Sequence, residues 1–392
     1  MEKRNVPKLR FKGFEDEWKE YRLDDISSII MGQSPSSSEY NEEKIGLPLV
    51  QGKADIKDRK TAPRMYTKEI TKTCEVNDII MSVRAPVGDV SIAIEKCCIG
   101  RGVCAIRSNI NQEYLYQLLL NQEEKWKNLS QGSTFESINS SDIKGLRIKL
   151  PSLQEQTKIA NFLSNVDNII EEQEGKVKDL EQYKKGMMQK IFKQEVRFKD
   201  ENGGEYPEWK EKCFSEILIE DLYPVKKPNK PYEKLSVRSH AKGTFSSLVE
   251  KPEEVAMDTL YEVKANQLIV NITFAWEHAI AIVNKEDEGK LVSHRFPTYK
   301  FSNNSNYKFY RYVITQKIIK YKLGLASPGG AGRNRVLNKK EFLKIEVPNP
   351  CLQEQIKIAK FLSNIDNIIE EEKKKLEDLK LWKKGLLQQM FV

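Results

Sequence analysis

Forty residues, Leu153 to Phe192, are written twice in this chain. Advanced 199 positions without a gap they fall on Leu352 to Phe391, and 25 of the 40 pairs are identical. Such a repeat governs every later reading, because it makes the chain two copies of one plan. Within it Ile159, Leu163, Val166, Ile170, Gln173, Val177, Leu180, Lys184, Met187 and Ile191 follow alternating steps of four and three. The second copy supplies Ile358, Leu362, Ile365, Ile369, Glu372, Leu376, Leu379, Lys383, Leu386 and Met390. A 3.5-residue apolar period keeps one stripe against a partner helix along its length, so each copy is expected to be a coiled-coil rod. At 1.5 Å per residue the rod is roughly 60 Å long, too long for the core helix of an ordinary domain. Each rod can pair with the other copy; the alternative is two dimerisation helices that pair with other chains. Both seams break at matching places, Gln173 and Lys184 against Glu372 and Lys383. One antiparallel register sets Lys184 beside Glu372 and Gln173 beside Lys383.

Outside the rods lie two blocks of about 150 residues each, enough for separate cores in a chain of 392. The net charge is +8, and the rods carry almost none of it: 6 Lys against 7 acids in the first, 8 Lys against 7 acids in the second. The surplus therefore sits in the blocks, mostly the second. That suits nucleic acid without requiring it. Six cysteines without a C-x-x-C pair and three histidines support neither a zinc site nor a disulfide framework. The charged first ten residues and the lack of any run of 18 apolar residues lead to the expectation of a soluble, cytoplasmic protein.

The blocks repeat as well. Arg10-Phe11, Trp18-Lys19-Glu20, Leu23 and Ile26 return after the first rod as Arg197-Phe198, Trp209-Lys210-Glu211, Phe214 and Ile217. Val76 to Ile94 reads as strand, turn, strand, and Ala265 to Val283 repeats that shape at a shift of 189. The connecting residues differ, Arg84-Ala85-Pro86-Val87-Gly88-Asp89 against Thr273-Phe274-Ala275-Trp276-Glu277-His278. One scaffold with unlike tips implies readers of different targets. Arg101 is matched to Arg295, as a phosphate contact or as the partner of a carboxylate at the domain edge. Gln112 to Leu129 and Tyr307 to Lys322 read as helices. Polar tips follow them, 130–134 in the first block and 327–335 in the second, where glycines flank Arg333, Asn334 and Arg335. Arginine and asparagine are bidentate donors for guanine and adenine edges; the alternative is a solvated loop. The turn from Gly32 to Ser38 can offer backbone N–H groups to a phosphate but lacks the lysine of a P-loop, and a plain loop is the default.

No catalytic constellation is present. An E-x-K string at Glu262-Val263-Lys264 with Asp258 nearby superficially matches a metal-dependent nuclease core, but in a chain with 31% charged residues such strings arise by chance. His240, His278 and His294 share no ligand or triad spacing. Beside each seam runs a second stripe, Phe162, Ile169 and Tyr183 in one rod and Phe361, Ile368 and Trp382 in the other. A two-stranded coil does not need it. It is expected to bind two copies of a partner, one per repeat, with packing on the neighbouring block as the alternative.

The tandem block-rod plan, the rod starts Leu153-Gln154-Glu155-Gln156 and Leu352-Gln353-Glu354-Gln355, the Asp-Asn-Ile-Ile runs at Asp167 and Asp366, the Gly32 to Pro35 turn, Asp78-Ile79-Ile80 and Gly132-Ser133-Thr134 carry a resemblance. The chain resembles the specificity subunit of a type I restriction-modification system. That implies an α+β chain: two α/β target-recognition domains (1–150 and 194–347) and two long spacer helices (151–193 and 348–392) forming an antiparallel coiled coil with pseudo-twofold repeat. Each domain would read half of a bipartite site in double-stranded DNA, with the rods as the ruler between halves. Two modification subunits would methylate adenine, and restriction subunits could join; S-adenosylmethionine, ATP and Mg2+ would belong to those partners, with no cofactor in this chain and no membrane. Residues expected at DNA are Gln33, Ser34, Ser36, Lys53, Arg84, Arg101, Gln131, Ser133 and Thr134 in the first block. In the second they are Arg238, His240, Lys242, Arg295, Arg333, Asn334 and Arg335. The competing reading is a coiled-coil assembly scaffold without sequence-specific DNA recognition.

Overall fold

The computed structural model describes residues 5–131, 137–329 and 335–392, with backbone alone at 127–131. Two compact units emerge, Met1–Asp179 with Glu371–Val392, and Leu180–Glu370. Both rods are helical, Leu153–Phe192 and Leu352–Met390, and each contributes a segment to both units.

In the first unit, Ile79–Ser82 is buried along its whole length because it is a central strand whose two faces enter separate cores, Ile79 and Met81 in one and Ile80 in the other. Val90–Ile92 pairs on one side and Val103–Ser108 on the other, both antiparallel. An unbroken apolar run suits such a central strand. Helix Gln112–Gln131 buries Tyr114, Leu115, Leu118 and Leu119, and its last turn takes in Ser130 and Gln131, which the sequence suggested for a loop tip. A second sheet in this unit runs Tyr40–Asn41, Met65–Thr67, Leu47–Val50, Cys97–Ile99, Thr73–Cys74. Strand Lys19–Arg22 pairs with Arg147–Leu150 just before the rod, so both ends of the block are tied together at the rod start. The core joins Trp18, Leu23, Tyr114, Ile159, Leu163 and Phe391.

The second unit repeats this plan. Leu268–Val270 pairs with Ile280–Ile282 and Thr298–Phe301, and Lys210–Cys213 pairs with Glu346–Asn349. Its core joins Ile191, Phe214, Phe309, Ile358 and Leu362. One element departs from expectation: the helix read over Tyr307 to Lys322 is two helices, Tyr307–Val313 and Lys317–Leu325. The break has a local cause. The Ile314 carbonyl is bonded to Nε2 of His278 at 2.6 Å, while Thr315 Oγ1 and Gln316 Nε2 both donate to the Tyr312 carbonyl. These bonds occupy carbonyls at the junction and favour a turn there.

All twenty seam positions are buried or half-buried. In the first unit the rod segments run in opposite directions, since Asp167 pairs with Lys383, Glu174 with Lys380, and Gln173 Nε2 donates to the Glu372 carboxylate at 2.7 Å and its carbonyl at 2.9 Å. Hydrogen bonds from Gln173, Lys375 and Lys176 hold the Glu372 carboxyl down to about 2. In the second unit Lys184 pairs with Asp366. The register expected from the sequence is therefore wrong: Lys184 meets Asp366 rather than Glu372, and Gln173 meets Glu372 rather than Lys383. The reason is that each seam lysine reaches an aspartate beside the facing seam, and the two seam breaks at Gln173 and Glu372 satisfy one another. Each aspartate is also held by its own block, Asp167 by Gln117 Nε2 and Asp366 by the Tyr312 hydroxyl, both at 2.7 Å.

Each rod start is fixed by the lead-in segment of its block. Arg10 grips Glu155 with two bonds of 2.8 Å, and Arg197 grips Glu354 at 3.2 and 2.9 Å, with Trp209 Nε1 adding a third at 2.9 Å. The glutamate side chains are 1% and 0% exposed. Beside them, Gln156 and Gln355 accept from the backbone of Asn111 and Asn306 and donate to Pro151 and Pro350 carbonyls. Phe11 packs on Phe162 at 5.7 Å and Phe198 on Phe361 at 5.5 Å. Among the described residues no helix is long and apolar enough to cross a membrane.

Removing one member of a buried bidentate pair leaves an uncompensated charge, at a cost of about 3–5 kcal/mol. Arg197→Ala is expected to lower the unfolding free energy by about that much in urea titrations, and adding Glu354→Gln should recover part of the loss. A cost below about 1 kcal/mol would show that the pair does not hold the rod start.

Candidate nucleic-acid interface

In the first unit three loops converge beyond the strand ends. Gly32 N–H donates to the Val103 carbonyl (3.0 Å), Gln33 N–H to Ile99 (2.8 Å) and Gly100 N–H to Val50 (2.8 Å), while Arg101 N–H donates to Ser34 Oγ (3.1 Å). Thr71 Oγ1 closes the floor by donating to the Gln33 carbonyl. The turn 83–89 is drawn alongside by Val83 N–H to the Gly102 carbonyl, 2.9 Å, and by the ion pair of Lys53 with Asp89, 2.7 Å. Gln33, Ser34, Lys53, Arg84 and Arg101 are thus gathered on one edge, and of these all but the half-buried Ser34 are exposed or half-exposed. Ser36 is placed differently. Its N–H, a candidate phosphate donor, is taken by Glu69 Oε2 at 2.7 Å, and its hydroxyl meets Ser38.

In the second unit the turn 238–243 joins strands Tyr232–Val237 and Thr244–Val249 and is seated on the 3-10 turn Ala275–Glu277. His240 N–H donates to the Glu277 carbonyl (2.9 Å), Ala241 N–H to the His278 carbonyl (2.8 Å), and Ser239 Oγ to Glu277 Oε2 (2.8 Å). Arg238 donates to the Thr244 carbonyl at 3.0 Å and lies over the Phe245 ring, 5.1 Å from its centroid. Arg335 lies over Trp276 at 5.7 Å. The Ile272 N–H donates to the Arg295 carbonyl and the Leu337 N–H to Ile272. Arg238, His240, Lys242, Arg295 and Arg335 therefore surround residues 272–278, all five exposed. Burial and the nearby Lys320 and His240 push the His278 imidazole below its ordinary value, against the bond to Ile314, so this histidine is a neutral strut rather than a surface contact.

The matching of Arg101 to Arg295 fails in the structure. Val83 N–H bonds Gly102 where Ile272 N–H bonds Arg295, and Ile79 faces Ile106 where Leu268 faces Tyr299. Gly102 is the counterpart of Arg295, and Arg101 that of His294; the loops before the strands differ in length, which shifted the sequence pairing by one. Ser133, Thr134, Arg333 and Asn334 lie outside the described residues, as does the side chain of Gln131. Sequence reasoning passed over Trp276 as a site residue. An indole in a turn whose counterpart, 83–89, has no aromatic residue was the available signal.

On the rods, Phe162 and Phe361 are half-buried against Phe11 and Phe198, as the packing alternative required, and Phe162 also meets Trp382 at 6.4 Å. Ile169, Tyr183, Ile368 and Trp382 stay exposed. The Glu262 carboxylate, part of the E-x-K string, is bound by Lys264 at 2.5 Å. Among the described residues no group of His, Cys, Asp and Glu is placed to hold a metal.

The pattern of the type I restriction modification DNA specificity domain matches this chain twice, over residues 15–182 and 173–381. A protein of Methanocaldococcus jannaschii, provisionally named the type I restriction enzyme MjaX specificity subunit, is 40% identical over 174 residues, 44% of this chain and 41% of that relative. The match thus spans about two fifths of that relative's length. The type I restriction enzyme MjaVIII specificity subunit of the same organism is 26% identical over 70% of this chain and 68% of its own. The solved structure of a type I restriction-modification system S subunit from M. genitalium aligns over 99% of both chains at 18% identity with a TM-score of 0.59, a likeness of fold.

A Cβ on Gly102 would stand 2.0 Å from the Gln51 carbonyl oxygen, a backbone atom that cannot move alone, whereas one on Gly52 would meet nothing within 4 Å. Gly102→Ala is expected to destabilise the chain by about 1–3 kcal/mol and Gly52→Ala to change it little, read as thermal midpoints. Equal midpoints would contradict the packing of the three loops.

Proposed function

We propose, for a chain that belongs to the type I restriction modification DNA specificity family, that it is a non-catalytic DNA-reading subunit that directs adenine methylation and restriction by partner subunits. Residues 1–150 and 194–347 act as target-recognition domains, each reading one half of a bipartite duplex site. The helices of 151–193 and 348–392 form an antiparallel coiled coil that serves as the spacer. Modification subunits dock on the exposed rod residues, Ile169 and Tyr183 in the first repeat and Ile368 and Trp382 in the second, and bring S-adenosylmethionine; restriction subunits bring ATP and Mg2+.

One observation carries this reading. The hairpin of Ile79–Ser82 with Val90–Ile92 recurs as Leu268–Val270 with Ile280–Ile282, Ile79 facing Ile92 as Leu268 faces Ile282, yet the second turn is one residue longer and the two turns share no chemistry. A duplicated frame that keeps its strands and changes its turns suits a device that reads two unlike sequences with one geometry. Exposed arginines beside those turns supply donors for phosphates and base edges. A scaffold without DNA function would need no such difference.

Replacing residues 244–340 with the corresponding part of a relative, in cells that carry the chain with its modification subunit, is expected to change one half of the methylated sequence and leave the other intact. Sequencing of methylated adenines reads the outcome. A simultaneous change in both halves would overturn the modular reading.

A further inference from the structure

The second unit holds an open groove. It has a volume of about 440 Å3 and is lined by Trp276, Lys317, Lys320, Tyr321, Leu325 and Arg335, with Gly324 in its floor. Tyr321 and Leu325 are 63% and 66% exposed. Lys317 and Lys320 are three apart on helix Lys317–Leu325, hence neighbours on one face. Among the described residues neither they nor Arg335 is paired with a carboxylate. Three cations and two aromatic rings on one concave surface complement an anionic chain with flat or apolar faces between its charges.

One aromatic side chain is placed differently in the first unit. Gln117 and Tyr312 do the same work for Asp167 and Asp366, an offset of 195 positions, and that offset carries Trp126 onto Tyr321. Trp126 is buried, and its Cβ stands 2.4 Å from where a Cβ on Gly88 would be, so its side chain is pressed against the turn 83–89. In the second unit the helix break at 314–316 and the indole of Trp276 replace that arrangement. The aromatic side chain stays outside, and the space is left open.

We propose that this groove binds the sugar-phosphate backbone of a DNA strand, with Lys317 and Lys320 on phosphates and the Trp276 and Tyr321 rings against sugars. The proposal rests on the DNA-reading function above and adds a backbone contact to the half-site that the second unit reads. Continuity with the loop cluster favours DNA over an acidic segment of a partner protein, because Trp276 belongs to the same 3-10 turn that seats His240 and Ser239. Backbone contacts give affinity without sequence choice.

The test compares the full chain in complex with its modification subunit, wild type and Lys317→Ala/Lys320→Ala, on a duplex carrying the methylated sequence and on an unrelated duplex. The double variant is expected to bind both duplexes about tenfold more weakly, with a slope of log affinity against log salt shallower by about 2, and to methylate the same sequence. Wild-type affinity and slope in a folded variant would overturn the groove while leaving the DNA reading intact. Loss of the modification subunit from the complex with an unchanged salt slope would assign the groove to protein docking and equally overturn it. Absence of salt-dependent binding by the wild-type complex would instead remove the function on which the proposal rests.

Discussion

Each rod begins at a glutamate buried almost completely and gripped by an arginine from about 145 to 157 residues earlier in the chain. The cost of burying that carboxylate is offset only while the arginine sits in place, so the pair couples block and rod into one folding decision. The glutamine that follows takes a backbone N–H from the block helix region and returns a bond to the proline before the rod. These contacts explain why the Glu-Gln of each rod start recurs. The residues that carry the family resemblance are thus structural here: they determine where a helix starts relative to a sheet.

The rods apply the same economy along their length. Apolar seam positions supply most of the burial, and the polar interruptions are satisfied by specific partners rather than left in an apolar seam. Gln173 with Glu372, Lys184 with Asp366 and Lys383 with Asp167 are all made from positions that repeat at 199. Polar groups at a seam lower stability but penalise a slipped register, since a slip leaves them facing apolar side chains. Asp167 and Asp366 extend that constraint into each block through Gln117 and Tyr312. With frame and register so constrained, the turns 83–89 and 272–278 are free to differ.

The rods, the repeated hairpins and the two-block plan were legible in the sequence because each rests on a period or an offset that survives without three-dimensional knowledge. The helix break at 314–316 was not, since it depends on His278, far away in sequence and brought to the Ile314 carbonyl only by the fold. The seam register was not, because the partners of Lys184 and Lys383 lie beside the seam, where heptad logic does not look. Arg101 and Arg295 were paired by residue type, whereas hydrogen bonding pairs position with position and puts Gly102 opposite Arg295. Of the candidate DNA residues, those near a repeated strand end were placed together, Gln33, Ser34, Lys53, Arg84 and Arg101 in one unit and Arg238, His240, Lys242, Arg295 and Arg335 in the other. At Ser36 a loop's composition does not reveal that Glu69 already occupies the N–H.

The central claim is that one frame presents two different faces to one DNA molecule. Amide hydrogen exchange on the complex of this chain with its modification subunit, with and without a duplex bearing the methylated sequence, tests it directly. The account predicts added protection in both units, at residues 32–36, 51–53, 84–89 and 100–102 and at 238–243, 273–278 and 294–296, with the rods unchanged. Protection confined to the rods, or to the loops of a single unit, would contradict it.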